Sequence, residues 1–123
     1  RPMLSADPHA ALERLRAACL ALPETDEVVS HGAPAFRVAG KMFAYFRHNH
    51  HGDGMTVVCL KTSGRDEQEM LLEADPELFS RPAYLWPSGW VAMSLAGEPD
   101  GRHVEARLLT SWRLAAPRRL TSR

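Results

Sequence analysis

Pro34-Ala35-Phe36-Arg37-Val38-Ala39-Gly40-Lys41-Met42-Phe43-Ala44-Tyr45-Phe46 is the stretch that decides the fold class. Two short runs of strand-forming residues flank Gly40-Lys41, which reads as a β-hairpin. Glycine at the first turn position accepts the positive φ that a type II′ turn requires. Strand alternation then sends Met42, Ala44 and Phe46 to one face and Lys41, Phe43, Tyr45 and Arg47 to the other.

Toward the N-terminus, Glu27-Val28-Val29-Ser30-His31 reads as a short strand ending in the turn pair His31-Gly32. Before it lies a helix, with Asp7 as N-cap and Pro8 at the first helical position. Leu12, Leu15, Cys19 and Leu22 form its apolar stripe, and Pro23 stops it. Toward the C-terminus, the polar loop His48 to Gly54 leads into the strand Met55–Lys61. A helix over about Asp66–Ala74 follows, with Pro76–Phe79 adding a turn. Pro82–Trp86 and Trp90–Leu95 read as two strands across Pro87-Ser88-Gly89. A last helix starts at Asp100 and ends at Pro117. Val104, Leu108, Ser111 or Trp112, and Ala115 form its inner face. Residues 118–123 read as a frayed basic tail. The order is α-β-β-β-β-α-β-β-α, an α+β domain whose antiparallel sheet is packed by N-terminal and C-terminal helices.

Size and composition fit one soluble domain over residues 1–123. The chain is 45% hydrophobic and 24% charged, with zero net charge. No apolar run approaches the roughly 20 residues of a membrane span, and no apolar leader follows Arg1. The cysteines, Cys19 and Cys59, read as reduced buried residues of a cytoplasmic protein. The charge is unevenly spread: residues 102–123 hold six arginines against Glu105 alone. A basic tail on a neutral domain is compatible with nucleic-acid binding, although neutrality overall weakens that case.

No catalytic constellation is recognisable. Ser30 and His31 are strand neighbours and point to opposite faces. There is no Gly-x-Ser-x-Gly elbow, P-loop or Gly-x-Gly-x-x-Gly. Val58 and Leu60 flank Cys59 and keep its thiol protonated. His48, His50, His51 and Asp53 are ligand types for zinc, but a loop ending in Gly52 and Gly54 favours a solvated turn over a metal site. Glu24, Asp26 and Glu27 read as a solvated acidic turn. No cofactor is expected. The pattern that points to binding is the interleaving of Arg37, Lys41, Phe43, Tyr45, Arg47, Lys61, Trp86 and Trp90 over the strands. Such a face offers cations to phosphates and rings to bases.

Several stretches together resemble the MmcQ/YjbR family of small bacterial proteins. They are Leu22-Pro23-Glu24, Phe36 to Ala44, Leu60-Lys61, Gly89-Trp90-Val91 and Leu109-Thr110-Ser111-Trp112-Arg113-Leu114. The resemblance spans about residues 8–118. It departs at Trp112, where the family usually has Tyr, and at the histidine-rich loop. It implies a fold like that of the frataxin homologue CyaY, described as a double-wing DNA-binding motif. It therefore implies a non-enzymatic cytoplasmic protein that binds DNA, with Arg37, Lys41, Arg47 and Lys61 on phosphates and Trp90 stacking or shaping the surface. Family members in antibiotic gene clusters imply an alternative: small-molecule binding or self-resistance, in a pocket near Lys41, Lys61 and Trp90 with Tyr84 and Trp86.

Overall fold

The computed structural model describes residues 7–97 and 99–122. Helix α1 (Pro8–Leu20) precedes strands β1 (Thr25–Ser30), β2 (Ala33–Val38), β3 (Lys41–His48) and β4 (Thr56–Lys61). Helix α2 (Arg65–Ala74), strands β5 (Phe79–Ser80) and β6 (Trp90–Ser94), helix α3 (Gly101–Ala115) and the short α4 (Arg118–Thr121) follow. The strands form one sheet in the order β1-β2-β3-β4-β6-β5, and every neighbouring pair is antiparallel. The molecule is an α+β domain, as its alternation of strand and helix patterns requires.

The helix ends follow their capping residues. The Asp7 carboxylate accepts from the His9 N–H, with Pro8 at the first position. The Asp100 carboxylate accepts from the Arg102 N–H. Each cap satisfies a backbone donor that has no partner inside its helix. The main core lies between the helices and one sheet face. Leu15, Cys19, Leu108 and Trp112 from α1 and α3 pack there with Phe36, Phe46, Val58, Leu60 and Met93 from the strands. Ser111 and Trp112 are both buried on the inner face of α3. The Trp112 indole N–H donates to the Pro23 carbonyl, so the ring fills the core with its one polar atom satisfied.

Both early hairpins turn on the residue before a glycine. Ser30 pairs with Ala33 around His31-Gly32, and Val38 pairs with Lys41 around Ala39-Gly40. All four turn residues have positive φ: 52° and 79° in the first, 47° and 85° in the second. Positive φ at both positions marks a type I′ turn, whose twist matches the flanking strands. The turn is thus Ala39-Gly40, one residue earlier than the sequence reading, and Lys41 opens β3.

The second correction is a β-bulge in β3. Phe36 pairs with Ala44, but Arg37 pairs with Met42, so Phe43 is an extra residue. Phe43 and Ala44 both enter the main core, and Met42 is turned to the opposite face with Tyr45. Lys41 consequently falls on the other side of the strand from Met42. Three consecutive apolar residues, Met42-Phe43-Ala44, conceal the change of phase from any period-two reading.

The bulge interrupts the β3–β4 ladder, whose last rung is Ala44 with Leu60. At the next position α3 inserts the hydroxyl of Ser111. Its Oγ accepts from the Lys61 N–H at 2.8 Å and donates to the Phe43 carbonyl. Ser111 is fully buried, and its hydroxyl stands in for a ladder hydrogen bond that the bulge prevents.

Two further expectations change. Pro82–Trp86 is not a strand: the sheet edge is the two-residue β5 at Phe79–Ser80, and residues 81–89 form turns ending in a short 3₁₀ helix at Trp86–Ser88. Nor is the described tail frayed. Residues 118–121 form α4, and the Arg119 guanidinium binds the Glu24 carboxylate through two hydrogen bonds of 2.6 Å. Arg123 lies outside the described residues. The acidic turn is paired throughout: Asp26 with Arg37, and Glu27 with Arg16. Glu24, Asp26 and Glu27 are all held below the usual carboxylate range, chiefly by these guanidinium hydrogen bonds.

Candidate nucleic-acid interface

The sheet face away from α1 and α3 carries the residues of interest. Alternation from the pairings places Asp26, Arg37, Met42, Tyr45, Arg47, Cys59, Lys61, Trp90 and Ala92 on it. A small second core of Val57, Cys59, Trp90 and Ala92 lies there, with Met42, Tyr45 and Leu85 against it. Leu85 belongs to the segment 81–89, which crosses this face as a strap. The Arg47 side chain donates to the Ala83 carbonyl at 3.0 Å and ties the strap's crown to β3.

The strap is anchored from α2. Gln68, only 1% exposed, donates through its amide nitrogen to the carbonyls of Trp86 and Trp90, both at 2.8 Å. Strand β5 is too short to pair with Trp90, so a buried side-chain amide satisfies that carbonyl instead. The Thr62 hydroxyl and backbone N–H both donate to the Gly89 carbonyl, which fixes the strap's return into β6.

Along the strap, cations alternate with rings. Lys61 Nζ lies 5.5 Å from the Trp90 ring, directly across the β4–β6 ladder. Trp86, which packs back against the main core beside α2, is flanked by Arg65 at 5.4 Å and Arg81 at 4.9 Å. These separations lie within cation–π range. Trp90 is itself 7% exposed and tilted against Tyr45 at 5.1 Å. It shapes and supports the surface, and its face is not open for stacking. Tyr84, at the crown, is 77% exposed.

The five sequence-selected residues therefore separate. Arg47, Lys61 and Trp90 share the open face with the strap. Arg37 is on the same face, but its guanidinium chelates Asp26, with Nε–Oδ1 at 3.0 Å and Nη2–Oδ2 at 2.9 Å. Lys41 lies at the hairpin end on the other side of its strand. Lys41, Lys61 and Trp90 line none of the three main cavities among the described residues. Arg65 and Arg81 were not selected from the sequence. The available signal was the close succession of Arg81, Tyr84 and Trp86, of which the strand assignment Pro82–Trp86 leaves Arg81 outside.

His48 parts from the other two histidines of the loop. His48 Nδ1 is 2.9 Å from the Thr56 hydroxyl, while the His50 and His51 rings meet edge to face at 4.0 Å beside Tyr84. No group of three or more His, Cys, Asp or Glu side chains gathers as a metal site among the described residues. Cys19 and Cys59 are free thiols in separate cores, pushed by burial to about 12 and about 11 respectively. No helix among the described residues is long and apolar enough to cross a membrane.

The YjbR family model matches residues 20–114, from the end of α1 to the last turn of α3. The chain belongs to the YjbR family. Among solved structures it resembles the crystal structure of the Deinococcus radiodurans protein DR2400, which has a DUF419 domain. The two are 23% identical with a TM-score of 0.69, over 84% of this chain and 76% of that one, a likeness of fold. No curated protein matches the chain. The matched YjbR region contains the bulge, the Ser111 bridge and the whole strap, so the open face is built entirely within the family domain.

Proposed function

We propose that this YjbR protein binds DNA through its open sheet face and the adjoining edge where the strap meets α2. The observation that carries this reading is the strap. All three cation–π contacts found among the described residues lie on it or directly against it. Arg47, Lys61 and Arg65 have no carboxylate partner among the described residues, and the nearest carboxylate oxygen to Arg81, from Glu69, is 4.0 Å away. By contrast, Arg16, Arg37, Arg107 and Arg119 are each held by a carboxylate at 2.6–2.9 Å. Zero net charge therefore conceals a division of labour. One set of arginines braces the fold, while Lys61 and Arg65 lie beside rings with no carboxylate partner and Arg81 shares its ring with the more distant Glu69. Arg14, Arg102, Arg113 and Arg118 lie on the helices, away from any such ring.

Positioned cations next to rings suit a nucleic-acid backbone, which supplies charge at every residue and a π-face at every base. Four phosphate contacts, from Arg47, Lys61, Arg65 and Arg81, give a salt slope of about −3.6 on duplex and about −2.8 on single strands. Affinity should fall about 150-fold on duplex DNA between 50 and 200 mM salt, and about 50-fold on single strands. Fluorescence anisotropy over that range tests the reading. Absence of binding at about 50 mM salt, where phosphate contacts are strongest, would remove it. Removing Lys61, Arg65 and Arg81 together should leave a slope of about −1.

A further inference from the structure

Beneath the crown of the strap lies a cleft of about 240 Å³, reached from the histidine loop. Arg47 rises from its sheet-side wall, His50, His51 and Asp53 come from the loop, Ser80 comes from β5 and Arg81 from the strap. Its size falls below the roughly 300–1,000 Å³ of drug-sized ligand sites, so it suits one small group rather than a whole nucleotide.

Its chemistry is that of an anion site. Arg47 spends one N–H on the Ala83 carbonyl and keeps its other donors, and guanidinium geometry matches a tetrahedral oxyanion. Arg81 gives a second cation. The His50 and His51 ring nitrogens form no hydrogen bonds among the described residues. The opposing charges are Asp53, whose Oδ1 already accepts from the Met55 N–H at 2.8 Å, and Glu69, whose carboxylate lies 4.0 Å from the Arg81 guanidinium. The surrounding backbone is held in an uncommon conformation: Asn49, His51 and Tyr84 have φ of 53°, 54° and 70°. Asparagine tolerates the left-handed region, whereas at a tyrosine it is strained.

We infer that this cleft binds a phosphate monoester through Arg47, Arg81 and the two histidines. The ester can be a free small molecule or the terminal phosphate of a nucleic-acid strand. The site shares Arg47 and Arg81 with the DNA reading but does not depend on it, because it requires only one phosphate group and not a polymer. Burial first, then Arg47 and His51, hold His50 below the usual histidine range, while Asp53 pulls the other way. Arg81 and Tyr84 face the loop from the strap. A bound dianion reverses this balance, so binding is coupled to proton uptake.

The test titrates the whole chain with inorganic phosphate and with sulfate, whose charge is constant near neutrality, against chloride at equal ionic strength. The readout is imidazole and backbone NMR shifts. Saturable shifts at His50, His51 and Arg47 are expected, with sulfate binding tightening severalfold from pH 7.5 to 6. Arg47→Gln should weaken binding at least tenfold. The His50→Gln/His51→Gln pair, which leaves the Arg47–Ala83 tie intact, should weaken it severalfold and abolish the pH dependence. Shifts matching those in chloride, or affinity unchanged in both variants, overturn the inference. Once phosphate binding is seen, preference for a 5′-phosphorylated over a 5′-hydroxyl oligonucleotide assigns the site to strand ends. Equal affinity for the two assigns it to a free ester. Phosphate binding without DNA binding would reject the proposed function and leave this site standing.

Discussion

Ser111→Ala removes one hydroxyl and leaves two buried backbone groups, the Lys61 N–H and the Phe43 carbonyl, without their bridge. The side chain is fully buried, so bulk water does not readily replace the lost oxygen. An unsatisfied buried polar group costs about 1–3 kcal/mol. Two such groups, partly relieved by relaxation of the strands, give an expected loss of about 2–4 kcal/mol. That is a large fraction of the roughly 5–15 kcal/mol that stabilises a domain. With a urea m-value of about 2 kcal/mol/M, the unfolding midpoint should fall by about 1–2 M. Thr110→Ala is the matched control. Its hydroxyl donates to the Ala106 carbonyl within the helix on an exposed surface, and its removal should cost less than about 0.5 kcal/mol. Hydrogen exchange at the Lys61 amide gives a local readout and should quicken more than at Leu60. If Ser111→Ala unfolds within about 0.5 kcal/mol of the parent, strands β3 and β4 close directly over the gap. The hydroxyl bridge would then contribute nothing.

Three other outcomes follow from the hairpins and the ion pairs. Ala39 holds a left-handed conformation without the tolerance of asparagine, so Ala39→Asn should stabilise by about 0.5–1 kcal/mol in urea melts, while Gly40→Val, at φ 85°, should destabilise. Glu27 has a folded pKa depressed below its ordinary 4.5, first by the Arg16 hydrogen bond. Its contribution is therefore complete above pH 4.5 and is lost as the pH falls through the folded value. The Glu27→Gln midpoint should lie below that of the parent at pH 7, and the gap should narrow below pH 4.5. A constant gap down to pH 3 would show that the Arg16 pair does not set the titration.

The helices were legible because their signals are local. Asp7-Pro8 and Asp100 mark starts by chemistry that any context would honour. The hairpins were legible as hairpins, yet the Ala39-Gly40 turn was misplaced by one residue. Glycine satisfies either register, and Lys41 is compatible with both. The bulge was hidden because Met42, Phe43 and Ala44 suit either face. Only the pairing partners, Phe36 with Ala44 and Arg37 with Met42, reveal the change of phase. Tyr84, Leu85 and Trp86 resemble a strand by composition, but the segment is pinned instead by Gln68 and Arg47, contacts from 18 and 36 residues away. Lys61 and Trp90 could be selected because both sit on regular strands. Arg65 and Arg81 could not, since their shared ring, Trp86, joins them only after the strap has folded over the sheet.

The most direct test of the open face is an NMR titration of the labelled protein with a short DNA duplex at low salt. The account predicts perturbed amides at Lys61, Arg65, residues 81–90 and Arg47, with α1 and the outer face of α3 unchanged. Perturbations centred on α1 and α3, or none at millimolar DNA, would contradict it.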